Sequence, residues 1–118
     1  YDAAAVYTSN QVVAAPVIWS KQVIQDGRAR AIVLNSGGAN CYTGPEGFQT
    51  THLTAERVAD LLKISSGDVL VCSTGMIGMQ LDRFKILAGL EVFSKVKPSP
   101  HPKQTIFFIP ANFAAIEP

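Results

Sequence analysis

The chain has 118 residues, 47% of them hydrophobic, enough for one domain or a piece of one with a real core. Ten Lys plus Arg against nine Asp plus Glu leave a formal charge of +1, which supplies no strong field toward nucleic acid or acidic membranes and argues against both as partners. No apolar run approaches the length of a membrane span, and the two cysteines, Cys41 and Cys72, lie in or beside apolar segments, as expected of a reduced, cytosolic protein.

The first residues, YDAAAVYTSN, begin without Met and already read as strand material, so an upstream segment is expected to be missing. Residues 3–8 are short and apolar and end in Ser9-Asn10, which predicts a first strand closed by turn formers. Residues 16–25 carry Val17, Ile18, Val23 and Ile24 ahead of Gly27, which predicts a strand end passing into a short helix with a glycine C-cap. The continuous run RAIVL, residues 30–34, reads as a strand buried on both faces, followed by a glycine-rich loop over residues 35–47.

Ala55, Val58, Leu61 and Leu62 recur at helical spacing between residues 49 and 62, with Thr50 and Thr51 available to cap the first turn. Ser65-Ser66-Gly67-Asp68 then breaks the chain before a second strand over residues 69–72. This strand, helix, strand order predicts a right-handed βαβ crossover that brings the 35–47 and 73–80 loops to one edge of the sheet. Phe84, Leu87, Leu90 and Phe93 form another helical stripe within residues 81–93. Five of the seven prolines fall in the segment from Lys95 onward, so residues 95–118 read as a divergent proline-rich tail, expected to pack poorly and to hold at most a short edge strand at residues 106–109.

The stretch NSGGANCYTGPEG, residues 35–47, lacks the Gly-Lys-Ser/Thr ending of a phosphate loop, so its glycines are read as close backbone approach. Cys41 and Cys72 are candidate nucleophiles with His52 or His101 as base; against this, Cys72 reads as a small hydrophobe inside a buried strand. Two His without paired spacing make a zinc site unlikely, and Lys95, Lys97 and Lys103 alternate with proline like a solvated tail. The segment DVLVCSTGMIG, residues 68–78, is different. Its apolar run stops at Ser73-Thr74-Gly75, placing a hydroxyl and a glycine amide at a strand end, where an oxyanion could be met by donors held in advance. The competing reading is a plain turn.

Taken together, AAAVYTSNQVVAAPV, NSGGANCYTGPEGF and CSTGMIGMQLDRFKILAGL resemble the N-terminal (α) part of the ornithine acetyltransferase family, the ArgJ proteins also called glutamate N-acetyltransferases. The likeness covers roughly residues 3–91, and three separate segments agree in order and spacing. It implies an α/β fold: part of a layered α/β sandwich, shared with self-cleaving aminopeptidases, in which helices pack on a mixed sheet. A partial α-chain domain over residues 1–94 then precedes the tail at 95–118.

The resemblance further implies an acyltransferase of arginine biosynthesis, located in the cytoplasm, that moves an acetyl group from N-acetylornithine to glutamate. No metal or organic cofactor is implied, although some members also take acetyl-CoA as a substrate. Members are made as a precursor that cuts itself before a Thr, and the resulting α and β chains assemble into a heterotetramer. The freed Thr is the nucleophile. The family's oxyanion hole is built by the Thr-Gly of Ser-Thr-Gly-x-Ile-Gly, which stands here as Ser73 to Gly78, so Thr74 and Gly75 inherit that role.

The family's Thr-Thr-Asp-Thr segment, its substrate Lys and its self-cleavage Thr find no match after residue 91. The fragment alone is therefore expected to be inactive. Alternatives are a truncated or frameshifted non-catalytic remnant, an interaction module, and a self-cleaving peptidase relative.

Overall fold

Apolar residues that alternate along two strands and apolar residues that recur along three helices meet in one cluster. Ala31, Val33, Val69 and Val71 come from the strands, Trp19, Ala55, Val58, Ala59, Ile86 and Leu90 from the helices. This computed structural model describes residues 1–95 and the backbone of residues 105–109. In chain order the elements are α1 (Ala15–Val23), β1 (Ala31–Gly38), α2 (Gly44–Leu62), β2 (Val69–Met76), α3 (Arg83–Lys95) and β3 (Thr105–Ile109). The strands form a parallel sheet in the order β2-β1-β3.

β1, α2 and β2 make the predicted strand, helix, strand unit, with β1 and β2 parallel and in register from Ala31 opposite Val69 to Gly38 opposite Met76. Both strands run farther than their apolar runs suggested, because their glycines stay in the ladder instead of opening a loop. Nor is β1 buried on both faces. Ala31, Val33 and Asn35 are buried, whereas Ile32 and Leu34 on the opposite face are half-buried, since the helical cluster covers one side of the sheet. The predicted edge strand appears as β3, paired with β1.

Residues 3–8 form no strand. The segment is tied at its start by an isolated bridge between Asp2 and Arg28, by the Ala3 N–H donating to Gly27 O (2.7 Å) and by the Ala29 N–H donating to Tyr1 O (3.0 Å). A β-branched or apolar run becomes a strand only beside a partner, and these residues have none among the described residues. The next segment is helical from Ala15, with Pro16 in its first turn where a missing N–H is harmless. A 3-10 turn, Ile24–Asp26, continues it to Gly27 (φ +71), the expected left-handed cap.

α2 starts five residues before the segment predicted from its stripe. Thr50 and Thr51 are thus inside the helix, where they donate back to Glu46 O (3.1 Å) and Gly47 O (3.2 Å) rather than capping it. α2 and α3 run in the same direction, with Arg83 beside Glu46 near their starts and Arg57 paired with Glu91 a few turns on. Such half-exposed pairs contribute little energy, and orientation is their main information.

Gly47 lies in α2, where alanine is normally favoured by about 1 kcal/mol. A Cβ there would overlap Thr43 Oγ1 and Asn40 Oδ1, two buried and hydrogen-bonded atoms. Gly47→Ala is therefore expected to destabilise by about 1–3 kcal/mol. Thermal unfolding checks this, and an increase in Tm would mean that Thr43 turns aside freely.

Candidate active site at the carboxyl ends of β1 and β2

The two strands end side by side, with Asn35 opposite Ser73, Ser36 opposite Thr74 and Gly37 opposite Gly75. Thr74 and Gly75 are both exposed and belong to the strand itself, not to a loop after it. Gly75 has φ +132 and Gly37 has φ +113. A Cβ on Gly75 would stand 2.5 Å from Gly37 C and 2.7 Å from Gly37 O, so the sequence reading of glycine as close backbone approach holds here.

Successive residues of a strand turn their N–H and C=O to opposite edges. Arg30 N–H donates to Asp68 O (2.8 Å) and Ala39 N–H donates to Met76 O (2.9 Å), so the even-numbered residues of this segment face β1. The odd-numbered ones face outward, and α1 meets the first two. Trp19 Nε1 donates to Val69 O (3.0 Å), while Ser20 Oγ donates to Val71 O (3.0 Å) and accepts from the Val71 N–H (3.1 Å). By parity Gly75 belongs with the outward-facing residues of β2, beyond the part of the edge that α1 bonds. Thr74 and Gly75 share an exposed corner.

The corner is held from behind. Segments 39–43 and 76–80 stay zipped past the strand ends: after the Ala39 bond to Met76, Gly78 N–H donates to Cys41 O (2.9 Å) and Gln80 Nε2 to Thr43 O (2.8 Å). Asn40, only 1% exposed and at φ +50, anchors this strip. Its Nδ2 donates to Gly47 O and Thr51 Oγ1 (both 2.8 Å), its Oδ1 accepts from Thr43 Oγ1 (2.7 Å), and its carbonyl accepts from the Ala15 N–H (3.0 Å). The 35–47 and 73–80 segments do meet at one edge, as the βαβ reading required.

Ser73, grouped with Thr74 and Gly75 in the sequence, points elsewhere. Its hydroxyl donates to Asn35 Oδ1 at 2.6 Å on the core face. Asn35 is 3% exposed, and its Nδ2 is buried without a partner among the described residues. An unpaired buried amide donor is unfavourable by about 1–3 kcal/mol. Neither Asn35 nor Asn40 was singled out from the sequence. The signal for Asn35 was present in the alternation Ala31, Val33, Asn35, where a polar residue takes the third inward position; nothing local marked Asn40.

The remaining candidates are separated from this corner. Cys72 is exposed rather than buried in a strand, because it lies on the face of β2 that the helices leave open, and Cys41 is the buried cysteine. Cys72 lines an apolar groove of about 280 Å³ with Tyr7, Val17, Leu70 and Ser73. Desolvation there pushes its thiol above the usual range despite its exposure, which lowers its reactivity at neutral pH. Burial likewise raises the Tyr7 phenol, with Cys72 adding to the shift. His52 sits edge-on to Trp19, 4.9 Å between ring centres, and beside Glu56 (3.6 Å), a packing role. His101, Lys97 and Lys103 lie outside the described residues. Among the described residues no three His, Cys, Asp or Glu side chains gather as metal ligands, and no helix is long and apolar enough to cross a membrane.

The ArgJ family pattern matches residues 1–111. The chain belongs to the ArgJ family. An "Arginine biosynthesis bifunctional protein ArgJ" of Streptomyces coelicolor is 60% identical over 89 residues, covering 75% of this chain and 23% of that protein. The crystal structure of ornithine acetyltransferase from Mycobacterium tuberculosis, complexed with ornithine, is similar with a TM-score of 0.75 at 55% identity, covering 76% of this chain and 49% of that one. An ArgJ structure from Bacillus halodurans gives a TM-score of 0.76 at 35% identity, over 83% of this chain and 50% of that one. This ArgJ-family chain therefore spans about a quarter of the relatives' length and about half of the solved chains.

Proposed function

We propose that this chain is the oxyanion-stabilising part of an acetyltransferase that moves an acetyl group from N-acetylornithine to glutamate. The exposed corner of Thr74 and Gly75 carries the proposal: Gly75 has the outward parity of β2, past Ser73 and past the Val71 position that Ser20 of α1 bonds, and it stands next to the exposed Thr74. In this reading a threonine hydroxyl from the β chain attacks the acetyl carbonyl, and Thr74 and Gly75 donate to the oxygen as it becomes negative. Collapse breaks the amide bond, the nitrogen takes the proton given up by the threonine hydroxyl, and ornithine leaves as the free amine with an acetyl ester remaining on the threonine. Glutamate's amine then attacks that ester through the same oxyanion and regenerates the hydroxyl.

The proposal includes the self-cleaved precursor, the α and β chains assembled as a heterotetramer, and a cytoplasmic setting. Its chemistry draws on hydroxyl, amine and amide groups, without a metal or organic cofactor; acetyl-CoA is a second acetyl donor. Ornithine bound in the similar Mycobacterium tuberculosis enzyme, and the word "bifunctional" in the relatives' names, support the substrate class and the second donor.

The test uses the full-length protein carrying this chain, N-acetylornithine labelled in the acetyl group, and glutamate. Labelled N-acetylglutamate is the expected product. Release of label only as free acetate, or no release, would overturn the proposal. A parallel reaction with acetyl-CoA reads the second donor separately.

A further inference from the structure

We infer that Asn35 and Ser73 act together as a positioning pair that sets where Thr74 and Gly75 stand. This rests on the oxyanion-hole reading of those two residues. The buried face of the sheet is built in layers, Ala31 with Val69, then Val33 with Val71, then Asn35 with Ser73. The first two layers are apolar. The third, nearest the proposed site, is polar and bridged by the 2.6 Å hydrogen bond from Ser73 Oγ to Asn35 Oδ1.

Filling the layer does not require that choice, because an aliphatic pair would occupy the same positions without a polar atom to satisfy, whereas Asn35 Nδ2 has no partner among the described residues. Register does account for it. Immediately beyond this layer β1 continues as Ser36-Gly37-Gly38 opposite Thr74-Gly75-Met76, and glycine-rich strand ends specify their alignment weakly. Two aliphatic side chains tolerate sliding, whereas a short hydrogen bond has one length and direction. The bridge is one residue before Thr74 and two before Gly75, so it fixes the strand offset where the donors must be held. Displacements of a fraction of an ångström at such donors change rates strongly.

The experiment compares four forms of the full-length enzyme: wild type, Asn35→Val/Ser73→Val, Ser73→Thr and Thr74→Ala. Tm, kcat and KM are measured on each, with kcat corrected for the folded fraction by circular dichroism. The double valine variant is expected to keep or raise Tm while kcat falls about tenfold and KM moves little. Ser73→Thr keeps a hydroxyl on the strand and is expected to retain most of kcat. A double valine variant with wild-type kcat would overturn the inference, as would a loss of kcat that vanishes on correction for the folded fraction. Thr74→Ala separates the two levels. Normal turnover in Thr74→Ala removes the oxyanion-hole reading itself, whereas a slow Thr74→Ala beside a fully active double valine variant removes only the positioning pair.

Discussion

Thr74→Ala in the full-length protein is expected to lower kcat about 10²-fold or more, with a much smaller change in KM. In the proposed role this hydroxyl meets the developing negative charge only in the transition state, so its removal would weaken that state and not the bound substrate. Removing one such donor is ordinarily worth about 3 to 4 kcal/mol of transition-state stabilisation. The position tolerates the change structurally, because Thr74 is exposed on the sheet face that the helices do not cover. Its stability effect is expected to be about 1 kcal/mol or less. If Thr74 merely shaped a strand end, the pattern would reverse, with turnover retained and Tm slightly lower. Turnover and thermal unfolding on the same preparation separate the two. A near-normal kcat would remove Thr74 from the oxyanion hole, and Thr74→Ser, which keeps the hydroxyl, is expected to recover most of the rate.

Gly75→Ala is expected to act on the fold before it acts on the chemistry. Two independent obstacles coincide there. The backbone is at φ +132, a conformation L residues rarely adopt, and an added Cβ would stand 2.5 Å from Gly37 C, 2.7 Å from Gly37 O and 2.8 Å from Gly38 N. These neighbours are backbone of the paired strand and cannot swing aside like the end of a side chain. Strain and overlap together are expected to destabilise by about 3–5 kcal/mol, a large share of a domain's stability. Poor soluble yield or a strongly lowered Tm is the expected result. A variant with a Tm within about 2 °C of wild type would mean that β1 and β2 part easily at this point, and would weaken the case for a rigid donor site.

The apolar periodicities located most of the architecture. Val58 and Leu62 placed α2, Leu87 and Leu90 placed α3, and the runs at residues 30–34 and 69–72 located β1 and β2, because burial against one face leaves a period that can be read directly. The order of these elements implied parallel strands and a common edge for the segments after them. The three quoted segments also identified the family and led to Thr74 and Gly75. Element ends were less accurate. GPEG at residues 44–47 and the glycines at 37, 38 and 75 carry loop chemistry, yet here they begin a helix and continue a ladder, because Pro45 is harmless in a first turn and facing glycines let two backbones close up.

What the sequence by itself determined is therefore the set of amphipathic elements, their order and the family. Tertiary structure alone decided which groups the corner exposes and what stands behind them. The outward parity of Gly75 follows from the pairing of β2 with β1 and from the contact of Ser20 with Val71, 51 residues apart. The exposure of Cys72 follows from which face of the sheet the helices cover. The Asn35 to Ser73 bridge joins residues 38 apart whose meeting depends on strand register. Local composition fixes what a segment prefers, but the edge a strand residue faces and the partner of a half-buried hydroxyl are set by neighbours that only folding brings together.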